Sequence, residues 1–491
     1  MVVFFVVIPL LAAFLIPLVS KMREGSARVL AVLSGSLLLL LSIAGIFMIK
    51  NGSIVYSLGG WRPPFGICMV LDGLSVLFLL VINLIGFIAL LYSWDYIKRY
   101  SSQGLYYTLF CLMLAGLNGV AVSGDLFNLY VFLEITSIAS YALVAFGTQA
   151  EELEAAFKYM VLGSVASAFI LLAIGILFGS VSTLNMADIA RSLAGSESRK
   201  LILFCLGLFT MGFSLKAGLV PFHTWLPDAH PAAPAPVSAM LSGVVIKVIG
   251  IYALIRLVFN IFIFTPAISQ IFIWMGIISM SVGVLLAIGQ WDFKRLLAYH
   301  SISQIGYVIF GIGLGTPLGI IGGLFHLFNH SVFKSLLFLN AGSLEYATGT
   351  RKLQEINGSG RAMPFTSVSS LVASLSIAGV PPLCGFWSKL IIIIAAFQAG
   401  NIIGGITCIL VGMVTLASFL KVQKYAFSKQ AGDIVSKIKE VPLTMAAAMS
   451  VLALFCVLIG LFFVPFLDQL IRPATNVLLE GANYVNLILG G

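Results

Sequence analysis

Five charged residues and three histidines stand inside or beside long apolar stretches of this 491-residue chain. They are Glu134, Lys216, Lys247, His300, His326, His330, Lys334 and Lys389. A lysine at the centre of a bilayer costs roughly 2.5–3.5 kcal/mol on insertion scales, so such residues face a bundle interior, pair, or line water. Their shared chemistry is taking up and releasing a proton. Glu134 and Lys216, if paired, would each tune the other's proton affinity; a static salt bridge pinning two helices is the competing reading. His326, His330 and Lys334 are spaced i, i+4, i+8, and four residues turn an α-helix by about 400°, so all three share one stripe. Histidine changes charge near neutral pH, and the stripe suits proton hopping. Two alternatives stay open. Histidines at i and i+4 can bind zinc, although no Glu lies between them and no carboxylate or cysteine ligand is evident nearby. They can also be hydrogen-bonded core residues.

Lys216 precedes a break at Gly218-Leu-Val-Pro221, and Lys389 follows one at Gly379-Val-Pro-Pro382. Backbone groups freed at such breaks need polar or watery surroundings, and half-helix ends at mid-membrane place ions in transporters. Lys247 stands mid-run and could link the two lysines; a snorkelling anchor fits its position less well. The segment from Trp291 to Gly306 is polar for a membrane helix. Lys294, His300 and Gln304 could feed a proton path, and Lys294 and Arg295 serve equally as topology anchors.

The elements that must position these groups are membrane helices. The chain is 60% hydrophobic and 9% charged, with a mean hydropathy of +1.10, whereas soluble domains are nearer half apolar and a quarter charged. A soluble enzyme is thereby excluded. A run of about 20 apolar residues crosses a bilayer core. Fourteen runs qualify: 2–20, 28–49, 71–93, 105–123, 125–147, 156–179, 201–220, 232–258, 266–289, 293–313, 316–345, 364–398, 401–427 and 441–466. The first is read as a retained span, not a signal peptide, because no basic residue precedes it.

Of the 27 Lys and Arg residues, sixteen fall in odd-numbered loops (among them Arg23, Lys429 and Lys437) and seven in even-numbered loops and termini, Arg256 included; four lie inside runs. Positive loops stay cytoplasmic, which puts both termini outside the cell membrane of a prokaryote. The net charge of +9 is thus a matter of topology, and no nucleic-acid partner is expected. Six scattered cysteines without a CxxC pair argue against iron–sulfur, zinc or disulfide sites. No cofactor is expected on this chain, so any redox chemistry belongs to another subunit of an oxidoreductase complex.

The two broken runs lie five runs apart. That spacing predicts an internal repeat of five spans, inverted because five is odd. The expected organisation is a three-helix segment (residues 1–104), two repeats (105–258 and 266–427), and a last helix with its tail (428–491). The fold class is an all-α polytopic membrane protein of about fourteen helices.

Longer motifs support a family. Glu134 in its span, Lys216-Ala-Gly-Leu-Val-Pro-Phe-His-Thr-Trp-Leu-Pro-Asp-Ala-His-Pro-Ala-Ala-Pro, Asp292-Phe-Lys-Arg-Leu-Leu-Ala-Tyr-His-Ser-Ile-Ser-Gln-Ile-Gly-Tyr and Gly379-Val-Pro-Pro-Leu-Cys-Gly-Phe-Trp-Ser-Lys389 resemble the antiporter-like subunits of respiratory complex I and of Mrp-type cation/proton antiporters, over spans 3 to 14. The resemblance implies fourteen helices with two inverted five-helix repeats. It implies proton translocation through Glu134 and Lys216, a connecting Lys247, the polar residues His326, His330 and Lys334, and a distal Lys389. It also implies other integral membrane subunits as partners. A tail of about 25 residues, lysine rather than glutamate at 389, and Thr183-Leu-Asn-Met-Ala-Asp-Ile resemble the D-type chain of Mrp antiporters. Mrp-related hydrogenase, sulfur-reducing and complex I assemblies stay open as parents. Sodium prefers oxygen ligands, so protons are expected here and any sodium elsewhere, with Asp72 and Glu345 the acidic exceptions. A non-conducting scaffold and a stand-alone solute permease are the competing functions.

Overall fold

The computed structural model describes every residue except 23–24, 195–198, 357, 429–437 and 491. Arg23, Lys429 and Lys437, used in the loop count, lie outside the described residues.

A backbone in hydrocarbon must satisfy its own N–H and C=O groups, and the apolar runs do so as helices. The chain begins with α1 (Phe4–Met22) and α2 (Ser26–Met48). An antiparallel hairpin follows, β1 (Ile54–Ser57) with β2 (Cys68–Leu71), in register from Ile54↔Leu71 to Ser57↔Cys68. Next come α3 (Gly73–Tyr96), α4 (Gln103–Val122), α5 (Leu126–Val144), α6 (Ala150–Val181), α7 (Met186–Ala194) and α8 (Arg199–Ala217). Short helices α9 (Leu226–Ala232) and α10 (Ala235–Met240) lead through a π-helical stretch, Leu241–Tyr252, into α11 (Ala253–Asn260). The second half holds α12 (Pro266–Ile288), α13 (Phe293–Gly313), α14 (Pro317–Thr348), α15 (Leu353–Ile356), α16 (Pro364–Ala378), α17 (Cys384–Gln398) and α18 (Ile402–Val422). The chain closes with α19 (Leu443–Leu461), α20 (Phe463–Phe466), α21 (Arg472–Leu479) and α22 (Gly481–Leu489).

Among the described residues, twelve helices are long and apolar enough to cross a membrane. The 32-residue α14, diluted by its polar stripe, and the shorter pair α16–α17 occupy the two remaining apolar runs. The run 235–260 is wholly buried, and α3, α8 and α14 pack against it. Phe14, Leu40, Ile138 and Leu285 project outward from other helices, each more than three-fifths exposed, as suits a lipid-facing surface.

Both expected breaks are present. Gly218 takes φ +69° after α8, and Gly379 takes φ +85° after α16. A side chain is strained in that left-handed region, and a Cβ on Gly379 would stand 3.1 Å from Lys389 Cδ.

Three features depart from the sequence reading. The hairpin is a small exception to an all-α chain. Residues 463–489 are not a plain tail: they form three helices that return across the bundle. Trp387 stacks on Phe463 at 4.0 Å, Phe328 meets Phe466 at 4.7 Å, and Asn260 Nδ2 donates to the Val477 carbonyl at 2.8 Å. Arg256, counted as a loop charge, is 1% exposed inside α11. Its guanidinium donates to both Asp72 oxygens, at 2.7 and 2.9 Å. A bidentate, hydrogen-bonded carboxylate is what makes such burial tolerable.

Candidate functional site

The candidate residues lie at the two breaks and in the buried centre. Glu134 on α5 and Lys216 on the last turn of α8 approach to 3.7 Å, the lysine 1% and the glutamate 28% exposed. Lys216 Nζ donates to Ser137 Oγ at 2.9 Å, and Ser167 Oγ on α6 donates to Glu134 Oε1. The two charges are thus held on separate hydroxyls as well as on each other. Beyond the break, Trp225 Nε1 donates to the Leu215 carbonyl at 3.0 Å and takes up an acceptor at the end of α8. Gly250 lies directly against Ala217, so the helix that carries Lys216 crosses the run that carries Lys247.

Lys247 is fully buried and faces no carboxylate. Its ammonium donates to the carbonyls of Ser242 at 2.6 Å and Gly243 at 2.8 Å. The π-helical stretch explains this: its wider turn shifts the hydrogen-bond ladder and opens carbonyls to a side chain, a geometry frequent at functional sites. No feature of the sequence announces it. Gly243 packs between Ser331 and Ser335 of α14, one turn from Lys334. Lys247 is within electrostatic range of both His330 and Lys334.

On α14, the His326 and His330 rings are parallel within 7°, their centroids 6.4 Å apart. His326 joins two neighbours: Nε2 meets Gln304 Oε1 of α13 at 3.2 Å, and Nδ1 meets Ser388 Oγ of α17 at 3.0 Å. His330 and Lys334 make no side-chain hydrogen bond among the described residues; the Lys334 ammonium sits 5.7 Å above the Phe338 ring. The next residue after Ser388 is Lys389, whose ammonium donates to the Ile377 carbonyl at 2.6 Å and lies 5.0 Å above the Tyr307 ring. His300 meets Ser418 Oγ of α18 at 2.9 Å. Its neighbour Ser301 bonds Ser242 at 2.7 Å.

Of the sequence-selected residues all but the partly exposed Glu134 are buried. In chain order they are Glu134 and Lys216 at the first break, Lys247 in the buried run, His300 on α13, the α14 stripe and Lys389 beyond the second break. Among the described residues, no three His, Cys, Asp or Glu side chains converge as a metal site.

Two acidic residues considered for sodium already face cations: Asp72 faces Arg256, and Glu345 stands 2.7 Å from the buried Lys294. Lys294 also donates to the Ala233 carbonyl at 3.2 Å, so it is more than a loop anchor. One buried titratable group escaped the sequence reading. His230 on α9 is fully buried, without a partner on either ring nitrogen among the described residues, between Trp225 and Phe338. It is within electrostatic range of Lys334 and Lys247. Its place in a Pro- and Ala-rich segment between runs concealed it; only its burial singles it out.

Comparison with known proteins agrees with this architecture. Residues 123–416 match the family model "NADH:quinone oxidoreductase/Mrp antiporter, TM", and residues 58–107 match the N-terminal model of chain 5 of complex I. The chain is 35% identical over 428 residues to the D-type chain of the Na(+)/H(+) antiporter of Alkalihalophilus pseudofirmus, covering 86% of each. It superposes on a chain of the Mrp complex from Dietzia sp. with a TM-score of 0.92 and 28% identity, covering 100% of this chain and 99% of that one. A chain of an archaeal membrane-bound sulfane sulfur reductase gives a TM-score of 0.92 at 30% identity, covering 99% of both. Buried charges, broken helices, family match and superposition agree: this multi-pass membrane protein belongs to the NADH:quinone oxidoreductase/Mrp antiporter family of membrane subunits.

Proposed function

We propose that the chain is the proton-translocating, D-type subunit of a multisubunit Mrp-like membrane complex. The observation that carries this reading is the Glu134–Lys216 ion pair at the first break, together with the lysines and histidines buried at 247, 300, 326, 330, 334 and 389. In this reading Glu134 and Lys216 exchange a proton at one end, Lys247 relays charge, His326, His330 and Lys334 extend the route with His300 beside it, and Lys389 ends it. The pairing of Asp72 with Arg256 and of Glu345 with Lys294 leaves sodium to a partner subunit. The parent complex is an antiporter or a redox-driven pump, with other integral membrane subunits as partners.

The same reading takes the chain as fourteen crossings, with odd-numbered loops cytoplasmic and both termini outside. Residues 105–258 and 266–427 form the inverted repeats, between the segments 1–104 and 428–491. A positive-φ glycine and a nearby buried lysine at each break support the repeat.

The test replaces Glu134 or Lys216 with alanine in the intact complex and measures pH-linked cation transport in inverted vesicles, with subunit co-purification as the check on assembly. Transport should be abolished while assembly survives. Full transport in both variants sinks the proposal, and loss of assembly in both favours a scaffold. The co-purifying subunits separate the parents: small Mrp-type partners mark an antiporter, and a nickel or iron–sulfur subunit marks a redox pump.

A further inference from the structure

Away from the proton series, α1, α2 and α4 enclose a groove of about 820 Å³ at their common end. It is lined by Lys21, Arg28 and Lys98, by the hydroxyls of Ser20 and Ser102, and by Leu105; among the described residues, none that lines it is acidic. Lys98 is partly neutralised by Asp95 at 2.5 Å. Lys21 and Arg28 have no ion pair among the described residues. Arg28 is held in place, its guanidinium stacked 4.7 Å above the Trp94 ring, and its Nε is shielded from water without a hydrogen-bond partner.

Two helices begin in the same groove. The 23-residue α2 starts after Gly25, which has no side chain to cap it, and the 20-residue α4 starts after Ser102, whose hydroxyl makes no capping bond. Helix starts carry unsatisfied N–H groups and partial positive charge, and they attract phosphate. Among the described residues, the groove therefore gathers three cations and two helix starts, with Asp95 beside Lys98 the carboxylate that partly offsets them.

Its position decides between the sources of such an anion. The groove lies at the ends of three helices long and apolar enough to cross a membrane, where the hydrocarbon core gives way to headgroups. Directly below it α1 presents Phe14 and Leu18, 65% and 62% exposed, and Leu105 of α4 is 60% exposed. A free phosphate has no use for that apolar flank, whereas acyl chains do. Basic pockets between spanning helices are a recognised setting for anionic lipid headgroups. We propose that this groove binds the phosphate of an anionic glycerophospholipid, with the acyl chains lying along α1 and α4. Lys21 and Arg28 supply the charge, and the starts of α2 and α4 supply backbone donors.

The test is native mass spectrometry of the full chain purified in detergent with its associated subunits. It is titrated with dioleoyl-phosphatidylglycerol, dioleoyl-phosphatidylcholine or inorganic phosphate. The wild type should retain phosphatidylglycerol in preference to phosphatidylcholine, and inorganic phosphate should not displace it. Each cation removed should weaken retention by about fivefold, so Lys21→Ala with Arg28→Ala should lose it and Arg28→Lys should keep it. Lys21 is exposed, so Lys21→Gln alone tests the charge without endangering the fold and should cost about fivefold. Equal retention of the two lipids overturns the proposal, as does indifference to Lys21→Gln. Displacement by inorganic phosphate overturns the lipid as its source.

Discussion

The ammonium of Lys389 donates to the carbonyl oxygen of Ile377 at 2.6 Å, across the break at Gly379. The acceptor is one of the unsatisfied carbonyls at the end of α16, where the helix dipole is negative and favours a cation. At the first break the corresponding need is met by neutral Trp225, which leaves Lys216 free to pair with Glu134. The two breaks are similar in backbone and different in what occupies them.

Replacing Lys389 with methionine removes the exchangeable proton and the donor to Ile377 together. pH-linked transport should fall by on the order of tenfold or more, equivalent to ~1.4 kcal/mol or more in the barrier. Lys389→Arg should restore the contact without restoring transport, because a guanidinium holds its proton throughout the physiological range. Transport assays on both variants in inverted vesicles check this, and normal transport by the arginine variant excludes proton exchange at this position.

Lys247 separates stability from activity. Its charge is buried against carbonyls alone, at an insertion cost of roughly 2.5–3.5 kcal/mol on translocon scales. Lys247→Met should therefore leave thermal stability unchanged or raise it, while transport is lost. A fall in melting temperature in detergent would mark the lysine as structural.

The Asp72–Arg256 pair predicts the reverse. Arg256→Met leaves a carboxylate buried and unpaired, which costs about 3–5 kcal/mol. The variant should melt earlier and yield less folded protein. Combining it with Asp72→Asn should recover most of the loss. Thermal unfolding of the single and double variants measures the recovery, and the absence of any recovery would contradict a local ion-pair origin.

The adjacent histidines should also part. His326 holds Gln304 and Ser388, so His326→Leu leaves buried polar groups unpaired and costs about 1–3 kcal/mol. His330 makes no such bonds, and His330→Leu should cost little or nothing in stability. Both should slow transport. Melting curves alongside transport rates separate the two effects.

Much of this was legible in the sequence because a charge inside an apolar run has few places to go. Glu134, Lys216, Lys247, Lys334 and Lys389 stood out for that reason, and the Gly and Pro residues marked both breaks. Arg256 did not stand out: it sits near the end of its run, and its partner Asp72 lies 184 residues away. The π-helical turn around Lys247 leaves no periodic trace, because every residue from Leu241 to Tyr252 is buried and no polar face reveals the pitch. His230 was hidden by its Pro- and Ala-rich surroundings. The hairpin at 54–71 escaped because each strand is four residues long, too short to show alternation.

The three terminal helices have a mechanical consequence. They touch the second break at Trp387, the α14 helix at Phe328, the end of α11 at Asn260 and the α7 helix at Met186. One stretch of polypeptide is thus fastened to four separate helices, α7, α11, α14 and α17. A shift of the α17 segment cannot stay local, since the same rod bears on the helix that holds Arg256. Any rearrangement that accompanies transport must move the ends together or bend this rod between its fastenings.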